Sequence, residues 1–319
     1  MRVLVTGANG FVGRYLVAAL RARGDDVVGA THQSTQPAHQ ISLPLDLRDS
    51  QNVCAVLDVA QPELIFHLAA QTFVPDSVER ALLTYDVNVL GTARLLEAVR
   101  KTREVSGRNP RILFTSSAEV YGQRSSADLP LRESLTLHPS NPYAASKAAA
   151  EAIIAAEATT YGLDILITRA FNHIGPGQDA RFVVASFAAQ LAQISRGREP
   201  KLLVGNISAQ RDFLDVRDVV AAYIALAQRG ETGETYNVCS GRSTSISEIL
   251  RLLITAAHVP VEVREDPDRM RAVDVPVSYG SNEKLCLLTG WTPEIPLIRS
   301  LRDIYGAVLG GQHDNGSSA

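Results

Sequence analysis

Three evenly spaced glycines, in Thr6-Gly7-Ala8-Asn9-Gly10-Phe11-Val12-Gly13, constrain this chain more than any other feature. They follow a short apolar run, Val3-Leu4-Val5, and open an apolar-periodic segment from Phe11 to Leu20. The pattern reads strand, turn, helix. Glycine suits that turn because the chain bends tightly and a pyrophosphate has to approach the backbone closely. The amide hydrogens of the first helical turn then face an anion, with the helix dipole in their favour. The spacing is G-x-x-G-x-x-G rather than the commoner G-x-G-x-x-G. Its position between a strand and a helix sets it apart from an ordinary βα turn.

Strand and helix patterns alternate from there on. The first helix stops near Arg23, with Gly24 behind it. Strands are predicted at Val27–Ala30, at Ile41–Leu45 despite Pro44, at Leu64–Leu68, at Arg111–Thr115 and at Ile165–Thr168. Between them lie a helix capped by Asp49 and running through Val59, a long helical pattern from Leu82 to Val99, and an alanine-rich helix from Tyr143 to Tyr161. This alternation predicts a doubly wound parallel α/β sheet, covered on both faces, with ligands beyond the carboxyl ends of its strands. After Phe171 the rhythm changes. Residues 172–178 have strong turn chemistry, and helices follow at 183–195, 216–228 and 246–257, the last with a Ser245/Glu248 capping box. The organisation predicted is a dinucleotide-binding domain over residues 1–171 and a smaller α/β substrate lobe over 172–309. The lobe sends one strand, near Thr235–Val238, back to the main sheet. A polar, glycine-rich tail over 310–319 is expected to be disordered.

A formal net charge of -3 in 319 residues gives no electrostatic footprint for nucleic acid or for a membrane surface. No apolar run is long enough to span a bilayer. Cys54, Cys239 and Cys286 are scattered and form no C-x-x-C pair, which suggests reduced thiols. With the first strand beginning almost at Met1, a cytoplasmic protein without a signal peptide and without a metal centre is expected.

The second informative stretch is Asn141-Pro142-Tyr143-Ala144-Ala145-Ser146-Lys147. Tyr143 and Lys147 are four residues apart and share a helix face. A lysine cation beside a tyrosine favours the phenolate and draws its pKa down from about 10 toward a useful range. Such a pair exchanges a proton with a carbonyl or hydroxyl oxygen. Alone, Y-x-x-x-K is more often a pair of surface neighbours. Here it follows Phe114-Thr115-Ser116-Ser117-Ala118-Glu119-Val120-Tyr121-Gly122, which places Ser117 at the carboxyl end of a central strand, where its hydroxyl can hold the reacting oxygen. After the second strand the chain reads Thr31-His32-Gln33-Ser34, with no acid for ribose hydroxyls. That leans toward NADP, although no arginine is present to grip a ribose phosphate. Arg14 or His32 are the available helpers, and His32 is equally a plain surface histidine. Asp46 either contacts adenine or caps a turn.

Glycine turn, strand-end serine and Y-x-x-x-K, in that order, resemble the extended short-chain dehydrogenase/reductase family, in its nucleotide-sugar branch. The resemblance covers all but the tail. It is carried further by Leu68-Ala69-Ala70-Gln71-Thr72, Asn88-Val89-Leu90-Gly91-Thr92, Phe171-Asn172-His173-Ile174-Gly175-Pro176-Gly177-Gln178, Gln210-Arg211-Asp212-Phe213-Leu214-Asp215-Val216-Arg217-Asp218-Val219 and Tyr236-Asn237-Val238-Cys239-Ser240-Gly241. These stretches are similar to the group that modifies GDP-mannose. The resemblance implies a Rossmann fold and NADP(H) or NAD(H) as cofactor. It implies cofactor contacts from Gly7, Asn9, Gly10, Phe11, Val12, Gly13, His32, Asp46, Leu47, Leu68, Ala69, Ala70, Tyr143, Lys147 and His173. It makes Tyr143 the acid/base, Lys147 its partner and Ser117 the holder of the sugar C4 oxygen. It places Asn172, Arg211 and Arg271 at the diphosphate of a GDP-sugar, where an arginine fork suits phosphate. By residue chemistry alone, Arg211 could instead pair with Asp212 or Asp215, and Arg271 could be a solvated charge in the run Arg264–Arg271.

Two activities compete within that group. A reductase delivers hydride to the C4 ketone of GDP-6-deoxy-4-keto-D-mannose and makes GDP-D-rhamnose, or its talose isomer. A GDP-D-mannose 4,6-dehydratase needs a further acid/base, and Glu119 stands at the glutamate position of such enzymes. Ala118, where a hydroxyl or acid usually assists, argues for the reductase. So do the missing paired arginines after the second strand and the stretch Gln71-Thr72-Phe73-Val74-Pro75-Asp76-Ser77. Glu119 is equally a loop hydrogen-bonding residue. Another nucleotide-sugar reductase or epimerase is the remaining alternative. The resemblance also implies a homodimer, through a four-helix bundle formed by the helices at 82–99 and 143–161.

Overall fold

A computed structural model describes residues 1–32, 42–269 and 275–310. In chain order the first half comprises β1 (Arg2–Thr6), α1 (Phe11–Ala22), β2 (Asp26–Thr31), β3 (Ser42–Pro44), α2 (Ser50–Ala60), β4 (Leu64–His67), α3 (Val74–Glu79), α4 (Ala81–Tyr85), α5 (Gly91–Ser106), β5 (Arg111–Ser117), α6 (Pro142–Tyr161) and β6 (Ile165–Ala170). The second half adds β7 (Asn172–Ile174), α7 (Val183–Ser195), β8 (Lys201–Val204), β9 (Gln210–Arg211), β10 (Phe213–Asp215), α8 (Val216–Arg229) and β11 (Thr235–Val238). It ends with β12 (Thr244–Ser245), α9 (Ile246–Ala257), β13 (Glu262–Glu265), β14 (Val277–Ser278), α10 (Glu283–Thr289) and α11 (Leu297–Gly310).

Seven strands form one parallel sheet in the order β11-β6-β5-β4-β1-β2-β3. Their residues are apolar on both faces because helices cover both. On one face α2, α5 and α6 bury Val53, Leu57, Leu95, Leu96, Ala150 and Ile154 against Leu4, Ile65 and Ile112. On the other, Leu16, Val17 and Leu20 of α1 join Val219, Tyr223 and Leu226 of α8 over Val5, Phe66 and Leu113. The strand order reverses between β1 and β4, and an open α/β sheet offers its ligand crevice beyond the carboxyl ends at that point. A second core, built by α7, α9 and α11 around Phe187, Leu191, Leu250, Leu253 and Leu301, forms the smaller lobe.

Several expectations shift in detail. The third strand is confined to Ser42–Pro44, and Ile41 lies outside the described residues. The helical pattern from Leu82 to Val99 is not one helix. A π-helical turn, Asp86–Leu90, joins α4 to α5. One extra residue in the turn lets Asn88 point inward, where its amide donates to the Gln71 carbonyl and the Ser146 hydroxyl and its carbonyl accepts from the Gln71 amide. The stretch read as a loop from Asn172 begins as a strand, paired in parallel with β10. The predicted helix at 216–228 belongs under the main sheet rather than in the smaller lobe, as its packing on α1 and β5 shows. Only half of the capping box at α9 forms: the Ser245 hydroxyl accepts the Glu248 amide. Gly310 closes α11, and the rest of the tail lies outside the described residues.

Candidate active site

The glycine turn sits where the strand order predicts the crevice. Gly7 has φ +72°, and a Cβ there would lie 2.9 Å from the amide nitrogen of Ala69, so the turn closes directly on the segment leaving β4. Gly13 serves packing: a Cβ would lie 2.3 Å from the Gly7 carbonyl oxygen. The helix begun at Gly10 has no side-chain cap and no acid in its first turn. By contrast, Asp49 caps α2, Asn141 caps α6 and Asp215 caps α8. Backbone space, uncapped amides and the absence of a carboxylate fit a dinucleotide pyrophosphate. Asn9 is exposed at the tip of this turn, and the half-buried Phe11 stacks on His173, with ring centroids 6.0 Å apart and planes at 8°. That contact joins the first turn of α1 to β7.

Leu68, Ala69 and Ala70 are half-buried beside the turn, and Val12 packs against the core. His32 is exposed at the end of β2. Asp46 forms a two-residue turn with Arg48, accepting its backbone amide at 2.9 Å and its guanidinium at 2.9 and 2.7 Å. Leu47 is buried against Gly91, where a Cβ would approach it to 2.8 Å.

At the carboxyl end of β5, three consecutive residues face the first half of α6. The Lys147 ammonium donates to the Thr115 carbonyl at 2.7 Å. The Ser116 hydroxyl donates to Glu151. Ser117 lies close enough to the Tyr143 hydroxyl to lower its pKa, and its own hydroxyl accepts the Glu119 amide at 3.2 Å. Ser117, Tyr143 and Lys147 are all buried. Burial pushes the Tyr143 hydroxyl up to about 12, Ser117 pulls it down, and the Glu119 charge adds to the rise. Burial also brings Lys147 down to about 8, against a rise from Glu151. This corrects the expectation that the lysine draws the tyrosine down. Lys147 points at a backbone carbonyl, and desolvation of the phenolate outweighs the rest. Glu119, in a single 3-10 turn after β5, accepts from the Asn141 amide at 3.2 Å.

Asn172 is exposed on β7 and pairs in register with Phe213. Arg211 lies two residues before Phe213, on β9, which pairs with β12 and β14 in a separate small sheet. Its guanidinium donates to the Gln210 carbonyl at 2.8 Å. The carboxylate of Asp212 is taken up by Ser240, Gly241 and Gly280, and that of Asp215 by Arg217 and Ser300. Arg271 lies outside the described residues. Among the described residues no group of three or more His, Cys, Asp or Glu is placed to hold a metal ion, and no helix is long and apolar enough to cross a membrane.

Sequence reading missed His67 and Glu151. His67 is buried on β4, and its tautomer follows from its neighbours. The Thr92 hydroxyl donates to the Asn88 carbonyl at 2.7 Å, so it accepts from His67 Nε2, and Nδ1 accepts from the Thr6 hydroxyl at 2.8 Å. Burial holds His67 neutral, with its pKa down at about 3. Nothing in the local sequence announces that. Glu151 did leave a signal, an acid four residues after Lys147 in an otherwise uncharged face.

Fold and site together define a class, the dinucleotide-binding extended short-chain dehydrogenase/reductases. The chain belongs to the GDP-mannose 4,6-dehydratase family, whose model matches residues 4–304. It is 43% identical to GDP-6-deoxy-D-mannose reductase of Pseudomonas aeruginosa, over 95% of each chain. It is 31% identical to GDP-6-deoxy-D-talose 4-dehydrogenase of Aggregatibacter actinomycetemcomitans, over 96% of this chain and 97% of that one. The solved structure of RMD from Pseudomonas aeruginosa complexed with NADPH superposes with a TM-score of 0.86 at 38% identity, covering 98% of this chain and 100% of that one.

Proposed function

We propose that this protein reduces the C4 ketone of GDP-6-deoxy-4-keto-D-mannose to GDP-D-rhamnose. The observation that carries the reading is the buried pair Tyr143 and Lys147, one helical turn apart on α6 and facing Ser117 and Thr115 at the end of β5, together with a glycine turn shaped for a dinucleotide. The 43% identity to a reductase of this substrate class supports it. A reduced nicotinamide cofactor, NADPH or NADH, supplies the hydride. Gly7, Gly10 and the first turn of α1 hold its pyrophosphate, and Leu68, Ala69 and Ala70 line its path. Tyr143 donates its proton to the C4 oxygen as negative charge develops there. A sugar alkoxide is far more basic than a phenolate, so a tyrosine held near 12 still gives its proton readily and stays protonated at neutral pH. Ser117 orients that oxygen, and the charged Lys147 ammonium binds the nicotinamide ribose of the cofactor. Asn172, Arg211 and Arg271 serve the diphosphate of the substrate.

The dehydratase reading is weaker because Ala118 offers no assisting group and Glu119 is engaged by Asn141. A paired assay tests the choice. Oxidation of NADPH or NADH by GDP-6-deoxy-4-keto-D-mannose, without keto sugar formed from GDP-D-mannose and catalytic oxidised cofactor, supports the reductase. The reverse pattern supports the dehydratase. Product stereochemistry separates rhamnose from talose. Glu119→Gln is expected to keep reductase turnover within about threefold. A loss of two orders of magnitude would make Glu119 catalytic.

The working form we propose is a cytoplasmic homodimer. α4 packs on α6. Leu82, Leu83 and Leu90 are exposed on the α4 side, and Ala149, Ala152 and Ala156 on α6. Small residues on α6 let a second copy approach closely, completing a four-helix bundle. Ala149→Glu together with Leu82→Asp is expected to convert the dimer to monomer in sedimentation velocity. An unchanged profile places the interface elsewhere.

A further inference from the structure

We propose that Glu151 is a positioning residue of this site, locking the end of β5 to the catalytic face of α6 so that Ser117 and Lys147 meet the substrate in register. The proposal builds on the reductase reading.

Tyr143, Lys147 and Glu151 recur every fourth residue and form one buried stripe of α6. They face one tripeptide of β5: Thr115 holds Lys147, Ser116 holds Glu151, and Ser117 lies beside Tyr143. The middle rung is the charged one. Arg169, at the end of β6, donates to Glu151 from Nη2 at 2.7 Å and from Nε at 3.1 Å. Its remaining nitrogen reaches the Tyr121 hydroxyl at 3.0 Å and the Glu133 carbonyl at 3.2 Å. Tyr121 in turn donates to Asn237 on β11 at 2.7 Å. Side chains of Glu151 and Arg169 are 6% and 7% exposed. An ion pair so buried is a poor source of stability, because desolvation offsets most of its attraction. What it fixes is geometry: β5, β6, β11 and α6 are tied at the level of Ser117.

The same carboxylate supports the charge of Lys147. His67 on β4 is neutral, and the Phe114 ring and Thr115 carbonyl on β5 are uncharged partners. Asn88 faces α6 from the π turn, and Asp86 of that turn is paired with Arg94. Tyr143 stays protonated, and the Arg169 charge is paired with Glu151. Burial lowers Lys147 to about 8 and Glu151 raises it. Removing the carboxylate therefore brings its deprotonation to lower pH.

The test uses the full chain with Glu151→Gln, Glu151→Asp and Ser116→Ala. Lys147 is followed by NMR of ε-13C lysine, feasible with four lysines in the sequence, and kcat and KM are followed across pH 6–9. Glu151→Gln is expected to move the Lys147 midpoint and the alkaline limb of kcat to lower pH, lowering kcat roughly tenfold at pH 8 with KM little changed. Glu151→Asp is expected to restore the midpoint. Ser116→Ala, which keeps the ion pair, is expected to leave the midpoint in place and lower kcat several-fold. A Lys147 midpoint unmoved in Glu151→Gln, or a loss of rate equal at every pH, overturns the proposal. If Glu151→Gln does not fold, an unchanged kcat in Ser116→Ala overturns it. A wild-type protein that binds NADPH but reduces no keto sugar counts against the reductase reading instead, and the NMR arm then decides this one.

Discussion

Tyr143→Phe is expected to lower the rate of keto-sugar reduction by about 10³-fold, within the range for loss of a general acid, while leaving NADPH affinity within about twofold. The asymmetry follows from the structure. The phenyl ring is buried at the start of α6 and its packing is unchanged by the substitution. Ser117 still accepts the Glu119 amide at 3.2 Å. Lys147 keeps its bond to Thr115. Only the proton donor is removed. Stopped-flow reduction measured beside NADPH fluorescence titration separates the two quantities. Residual turnover above about a tenth of wild type would assign the proton to another group.

Gly13→Ala carries the other large effect. A Cβ at Gly13 would sit 2.3 Å from the Gly7 carbonyl and 2.8 Å from both the Cα and the carbonyl oxygen of Ala8. All three are backbone atoms, so no rotamer change relieves the clash. Either the turn or the start of α1 must move, at a cost of about 1–3 kcal/mol. The moved atoms are those proposed to hold the pyrophosphate. NADPH binding is expected to weaken at least 100-fold, together with a fall in melting temperature. Gly10→Ala provides the scale, since its Cβ would meet the Gly7 carbonyl at 3.1 Å, a milder approach. Equal losses in the two variants would show that Gly13 is not the packing glycine.

How far the sequence spoke depended on the range of the interaction. The glycine turn, the strand-end serine and Tyr143 with Lys147 are local patterns, and each is found where its spacing put it. Helices at 183–195 and 246–257 agree to the residue because their apolar periodicity is clean. The π turn at Asp86–Leu90 was invisible, since its cause is Asn88 bonding to Gln71 and Ser146, far away in sequence. The pKa of Tyr143 went the other way for a similar reason. Spacing shows that Lys147 shares its face, but not that the phenolate would be stripped of water or that the ammonium would turn to Thr115.

The main sheet is finished by late arrivals. α8 and β11 lie some 45 to 70 residues beyond β6, yet α8 covers Phe66 and Leu113, and β11 pairs along the whole of Ile167–Ala170. During synthesis, at about 5–20 residues per second, the first six strands therefore wait several seconds with one apolar face covered by α1 alone. Over that interval the nascent chain offers Val5, Phe66, Leu113 and Leu166 to whatever is near it. Chaperone dependence at this stage, and aggregation of chains truncated before residue 238, follow from the order in which the ribosome releases the pieces.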